Sequence, residues 1–517
     1  MPVGAVMIGS ADALKRARFK LIVFVLLAGL LVAALWPAFQ SPGQPEDEGI
    51  ALVYPEMFLK GRLPYRDFES NYGPGKLLIL STAYSVFGTN VFVERAVGLI
   101  YRLVILMAIF GVTQRWGTFV ASACALAAIV ILGHSDVWAN TLFAGMAFAL
   151  CAWWMMANAR SGWRCFAGGF FGGLALLCRC DFGPALAVSA LPLFLSMQRV
   201  PKTKFLVGAA VALLPLLWFG VLVGPTQLVN NLFVLPVFRI GPRGQLPISS
   251  ATADAVWVFC LYVLASGVNV AAGFFALRRS VPERGRLLLG TALFGLGLIH
   301  YPLSRFDSGH VLNAALVSFA FLPLSISVLF SLVAKPLPRQ LKIIATGIVA
   351  LGTIALLRLG PHDKGVFIKQ NGRSFPLAKT SLPQAADQAL SELQRASADG
   401  QLLFVGPTDL RHTVYCDTWI YHMLPQLHPA TYFLQMNPGS ANAPGSRLAR
   451  DVAGADWLFL NRAWDFLSEP NRSRELGPNE PNKIVRAKFD LWRAYGPYLI
   501  LRNKRLRNLV EREIPDR

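Results

Sequence analysis

The sequence predicts a polytopic all-α membrane domain of about eleven transmembrane helices, followed by a small extracytoplasmic α/β domain. Three observations carry this. The 517 residues are 54% hydrophobic and only 15% charged, where about 25% charged is usual for a soluble chain. Apolar segments of near-span length recur from Leu21 to Leu357, and then the texture changes to one rich in Pro, Asn, Arg and Asp. The net charge is +20, but much of the basic excess sits in short loops between apolar segments. That distribution marks a multi-span membrane protein rather than a nucleic-acid binder.

The first element is Leu21 to Phe39, preceded by Lys15, Arg16, Arg18 and Lys20. About 20 apolar residues cross a bilayer, more than the roughly 7–15 of a signal-peptide core. It reads as an uncleaved span with a cytoplasmic N-terminus. A loop over 40–92 follows, in which Leu77 to Phe87 is apolar but short and fits an interfacial helix. Further apolar segments lie at about 93–114, 117–133, 138–158, 164–178, 182–197, 204–224, 252–277, 286–303, 311–333 and 340–357.

Loop charge tests the order. With the N-terminus inside, the inner loops hold Arg115, then Arg160 and Arg164, then Arg199, Lys202 and Lys204, then Arg278, Arg279, Arg284 and Arg286, then Lys335, Arg339 and Lys342. Every strongly basic short loop thus falls on one side. The outer side gathers Asp47 and Glu48, His134 and Asp136, Arg179 and Asp181, a long loop with Arg239 and Arg243, and His300, Arg305, Asp307 and His310. Polar groups beside a membrane are costly without a task, so a water-accessible cavity is expected on that side.

The chain divides into a membrane part over 1–357 and a tail over 358–517, which an odd number of spans places outside. In the tail, Ala385, Ala386, Ala389, Leu390 and Leu393 form a helical stripe within Ser381–Ser397. Leu402–Val405, Trp457–Leu460 and Tyr498–Leu501 read as buried strands. Roughly 150 residues suffice for a separate core. The seven cysteines show no zinc-like spacing and read as small core residues.

The first outer loop carries the chemistry. Glu46-Asp47-Glu48 is followed by Leu63-Pro64-Tyr65-Arg66-Asp67-Phe68, Gly73-Pro74-Gly75-Lys76 and then Arg95. A membrane span followed by this series resembles the first extracytoplasmic loop of the GT-C superfamily, in its protein-mannosyltransferase and aminoarabinose-transferase-like branches. These are integral-membrane glycosyltransferases that use polyprenyl-phosphate sugars. The resemblance implies that the first acid of the loop, Asp47, is the base, with Glu48 beside it. It implies that Tyr65, Arg66, Asp67, Tyr72, Lys76 and Arg95 contact substrate. It also implies a polyprenyl-phosphate sugar donor, a lipid, glycan or protein acceptor, and no assured cofactor, a divalent cation being used by some members only. Glu46 leaves the base ambiguous by one position.

The residue chemistry agrees with that function. Transfer from a lipid phosphate needs a base for the acceptor hydroxyl and cations for the departing phosphate; one carboxylate suffices. Lys76 suits a point charge on phosphate, and equally a lysine at lipid headgroups. Arg102 lies on the face of Arg95, about 10 Å deeper, and must find an anion or a carbonyl. Arg179 and Asp181 suit sugar contact or mutual pairing. Arg305, Asp307 and His310 suit phosphate, an internal ion pair, or two ligands of a metal, which alone make no metal site. Asp409, Arg411, His412, Tyr415, Asp417, Trp419 and Tyr421 in the tail suit a domain interface better than a carbohydrate face. A flippase of charged lipids or a scaffold would share the polar face, but would not depend on Asp47.

Overall fold

The computed structural model describes residues 4–157, 161–278, 282–331 and 363–506, with a few positions between 332 and 362. The first part is helical throughout. Helices α1 (Gly4–Leu35), α2 (Asp47–Leu59) and α3 (Pro74–Phe87) lead into α4 (Val91–Thr113), α5 (Thr118–Gly133), α6 (Thr141–Ala157), α7 (Gly162–Cys178), α8 (Gly183–Ser196) and α9 (Arg199–Val223). The turns α10 (Pro225–Val229) and α11 (Gly241–Gly244) flank a π-helical stretch, Asn230–Ile240. Then come α12 (Ala253–Arg278), α13 (Pro282–Gly297), α14 (His300–Ser304) and α15 (Ser308–Phe330).

Among the described residues, six helices are long and apolar enough to span a bilayer, and four shorter apolar ones lie among them. All ten match expected spans; the expected segment at 340–357 lies outside the described residues for the most part. The long outer loop is corrected: its centre is π-helical and carries Pro236, a residue that breaks the normal hydrogen-bond ladder. Small residues set the helix spacing. A Cβ on Gly169 would strike the Phe205 carbonyl, and one on Gly208 the Phe166 carbonyl, so α7 and α9 pack backbone to backbone.

Helices α2 and α3 form a bracket between the first two spans. Pro55 lies inside α2 and has no N–H for the carbonyl four residues back. That carbonyl, on Ala51, instead accepts the Tyr84 hydroxyl at 3.0 Å. The orphaned group therefore ties α2 to α3, which is the helix expected at Leu77–Phe87.

The tail holds a hairpin, β1 (Val366–Gln370) with β2 (Arg373–Leu377), and a five-stranded sheet. The sheet runs β4 (His428–Pro429), β3 (Leu402–Pro407), β5 (Trp457–Asn461), β7 (Tyr498–Asn503) and β6 (Phe489–Tyr495). The inner pairs β3–β4 and β3–β5 are parallel, and β5–β7 and β6–β7 antiparallel. The three expected strands are its centre, and β5 is buried along its whole length, as an unbroken apolar run requires. The helix Pro383–Ala396 buries Ala386, Ala389, Leu390 and Leu393 as expected.

This tail is clamped onto the first loop. Gly43 N–H donates to the Pro376 carbonyl at 2.6 Å, and Trp419 N–H to the Pro45 carbonyl at 3.1 Å. Arg373 grips Glu56 in α2 with two bonds of 2.6 and 2.8 Å. A Cβ on Gly49 would come within 2.6 Å of the Trp419 nitrogen. The glycine lets the first turn of α2 lie against the tail.

Candidate active site

The site is built from the first turn of α2. Consecutive helical residues point about 100° apart, so Glu46, Asp47 and Glu48 diverge. Glu46, the residue before the helix, turns to the tail and accepts the Cys416 N–H at 3.1 Å. Burial, then Asp47 beside it, pushes its carboxyl well above the ordinary range. Glu48 turns into the bundle. It meets Arg95 in two bonds of 2.6 and 2.9 Å, with Arg95 2% and Glu48 1% exposed. The remaining Arg95 nitrogen donates to the carbonyls of Ala38, Phe39 and Ser41 at 3.1, 2.9 and 3.0 Å. Arg95 thus caps the exit of the first span and anchors α2 together.

Asp47 lies between the two anchored acids and is partly buried. Among the described residues, its carboxylate has no hydrogen-bond or ion-pair partner. Burial pushes its pKa above the ordinary aspartate value, while Lys76, His310 and Arg305 pull the other way and Asp136 adds to the rise. These four groups come from three separate connections of the bundle.

Lys76 opens α3. Its turn seats on the end of α7, because Gly73 packs on the Leu177 carbonyl, and a Cβ on Gly75 would lie 2.6 Å from Cys178 Sγ. The amine sits 5.4 Å from the centre of the Trp138 ring. It has no hydrogen bond or ion pair among the described residues.

Arg179 and Asp181 follow α7 and pair at 2.8 and 2.5 Å. The guanidinium lies against the rings of Tyr72 at 5.7 Å and Tyr301 at 5.1 Å. His300 Nε2 reaches Asp181 at 3.2 Å. Asp307 caps α15 through the His310 N–H at 2.9 Å and holds the imidazole at 2.9 Å. That imidazole stacks on Tyr301, centroids 4.6 Å apart. Arg305 bonds to Glu469 of the tail through two nitrogens and lies 3.4 Å from Asp307. The tail thereby contributes directly to this end of the bundle.

The expected site residues separate into two groups. Asp47, Tyr72, Lys76, Arg179, Asp181, Arg305, Asp307 and His310 converge. Glu48 and Arg95 are a buried pair and present no free group to a ligand. Arg102 is also a correction: it is fully buried and donates to the carbonyls of Gly98, Asp136, Val137 and Trp138 and to Ser135. The alternative weighed for it, a carbonyl partner, is the geometry observed. Tyr65, Arg66 and Asp67 form a self-satisfied turn instead of a ligand face. Asp67 accepts the Leu63 N–H at 2.8 Å and pairs with the exposed Arg66 at 2.8 and 2.9 Å. Buried Tyr65 has φ 69°, strained for a bulky side chain. Its N–H donates to the Phe68 carbonyl, and its own carbonyl accepts Gln227 and Tyr432. Three further residues join the site: Trp138, Tyr301 and Glu469. Tyr301 resembles any belt tyrosine at a span end, and nothing near Glu469 in sequence marks it.

Of the tail cluster, Trp419 meets the first loop through its N–H to the Pro45 carbonyl, and Asp409, Arg411, Asp417 and Tyr421 bond within the tail. Buried Asp417 accepts the indoles of Trp419 and Trp464 and the Asn461 amide at 3.1, 2.8 and 2.6 Å. Among the described residues, no group of three or more His, Cys, Asp or Glu is placed to hold a metal ion.

An apolar groove of about 190 Å³ runs between α6, α7, α8 and α9. Leu176 and Gly183 line it, and these flank the Arg179–Asp181 pair in sequence. The groove therefore ends beside the charged cluster.

No known family profile matches the sequence, and no curated protein does. Solved structures do resemble the fold. ArnT from Cupriavidus metallidurans bound to undecaprenyl phosphate aligns with a TM-score of 0.54 and 13% identity, covering 93% of this chain and 97% of that one. The apo state of the same protein aligns with a TM-score of 0.58 and 12% identity, covering 94% and 98%. The chain therefore has the fold of this ArnT over nearly its whole length.

Proposed function

We propose that this chain is a membrane glycosyltransferase that moves a sugar from a polyprenyl-phosphate donor to a hydroxyl of a lipid, cell-wall glycan or protein. One observation carries the reading. Asp47 and Lys76, each without a hydrogen-bond or ion-pair partner among the described residues, lie in the charged cluster beside which an apolar groove ends, in a fold shared with a protein crystallised with undecaprenyl phosphate.

The roles follow from charge and access. The lipid tail lies in the apolar groove and its phosphate beside Lys76, Arg179 and Arg305. Arg179 and Arg305 are held in place by Asp181 and Glu469, so they present fixed donors. Asp47 takes the proton from the acceptor hydroxyl as oxygen attacks the anomeric carbon, and the phosphate departs from the opposite face. The sugar configuration inverts. A carboxyl with a raised pKa is a better base than an ordinary aspartate. The basic loops support a cytoplasmic N-terminus and a reaction at the outer face.

The test is transfer by membranes carrying Asp47→Asn with a polyprenyl-phosphate sugar. A positioned base contributes roughly 10²–10⁴-fold, so turnover should fall by that amount while the protein remains folded. Unchanged turnover removes Asp47 as base. A flippase or scaffold would show no Asp47-dependent transfer.

A further inference from the structure

We propose that Glu94 is a positioning residue for Lys76: a buried carboxylate that keeps the amine charged and aimed between Asp47 and the donor phosphate. The inference rests on the phosphate-binding role of Lys76 proposed above.

Glu94 sits in the first turn of α4, just before the structural Arg95, and is 0% exposed. One oxygen, Oε1, accepts the Ala139 N–H at 2.6 Å. The other, Oε2, is buried and has no hydrogen-bond partner among the described residues. A bare buried carboxylate oxygen is expensive. Arg95 is already matched by Glu48 and three carbonyls and makes no hydrogen bond to this oxygen among the described residues; its charge, like that of Lys76, favours the Glu94 carboxylate, and Glu48 opposes it.

A second cation acting on Glu94 is Lys76, 9% exposed and without a hydrogen bond among the described residues. The two meet at one short segment: Trp138 lies under the amine, and Ala139, the next residue, holds Glu94. The segment is pressed there by Gly98, whose missing Cβ leaves room for the Val137 carbonyl and Trp138. Burial pushes the Lys76 amine below a free lysine, and Glu94, then Asp47 and Cys178, oppose that shift while Arg179 adds to it. Those are the charged and titratable groups facing it from α4, α2 and the end of α7. Asp47 gives up its charge when it takes the acceptor's proton, and the phosphate enters and leaves. Glu94 is the counter-charge that stays through the cycle.

The experiment measures binding of undecaprenyl phosphate to the full chain in nanodiscs across pH. Glu94→Gln keeps an oxygen for the Ala139 N–H but deletes the charge. Its alkaline limb of binding should move to lower pH by about 1 unit or more, the size of a nearby opposite charge. Glu94→Asp keeps the charge but withdraws it by one methylene; its limb moves the same way by less, and it serves where the amide variant does not fold. A purely structural Glu94 predicts curves that coincide with wild type, and that result overturns the inference. Lys76→Gln separates the two levels. If it abolishes binding while both Glu94 variants match wild type, only the role of Glu94 falls. If it binds as wild type does, the Lys76 role falls and this inference with it.

Discussion

Glu48 and Arg95 make the sharpest test of how the acidic turn is built. Both are essentially inaccessible, and Arg95 makes five hydrogen bonds: two to Glu48 and three to Ala38, Phe39 and Ser41. Removing one partner of a buried pair leaves the other uncompensated, at about 3–5 kcal/mol. Glu48→Gln leaves Arg95 without its counter-charge; Arg95→Met leaves Glu48 bare and three carbonyls without donors. Each single variant should therefore lose about 3–5 kcal/mol. The double variant contains no stranded charge and should be less destabilised than the sum, with a coupling of about 3 kcal/mol, roughly a hundredfold in the unfolding equilibrium. Thermal or denaturant unfolding of the four proteins in one detergent measures this cycle. Additivity within about 0.5 kcal/mol would refute the view that this pair anchors the turn. Asp47→Asn, in the same assay, should leave stability close to wild type, because that side chain has no hydrogen-bond or ion-pair partner among the described residues.

Other consequences are as direct. Asp47 must be ionised to accept a proton, and burial raises its pKa, so the acid limb of kcat/KM should lie above the ordinary aspartate value of about 3.9; a pH–rate profile with a limb at or below it contradicts the assignment. Gly73→Ala pushes a methyl into the Leu177 carbonyl and displaces Lys76 from its seat, so KM for the donor should rise at least tenfold, about 1.4 kcal/mol; steady-state kinetics against donor concentration read this. Tyr84→Phe leaves the Ala51 carbonyl without its donor, at a cost of about 1–3 kcal/mol, visible in thermal unfolding.

Much of this protein was legible without coordinates. Span-length apolar runs and the basic loops between them follow from the bilayer acting as solvent, which writes a long, contiguous signal into the chain. The strands β3, β5 and β7 were legible for the same reason: they are buried runs. The edge strand β6 was not, because its exposed face carries Asp490 and Arg493. Nor was the helical nature of the stretch around Pro236, where proline reads locally as a break.

The site divides along the same line. That acids after the first span and cations from later turns belong together follows from charge and membrane side, both of which are linear properties. Which of three neighbouring acids is free follows only from packing. A helix turns each residue by about 100°, so Arg95, 47 positions from Glu48, and Cys416, 370 positions from Glu46, decide that of these three acids Asp47 is the one left without a partner among the described residues. The same holds for Arg102, whose carbonyl partners other than Gly98 lie on another loop, and for Arg305, whose carboxylate comes from the tail. Composition and periodicity set the elements; contacts between distant segments set which charges are neutralised and which are left to act.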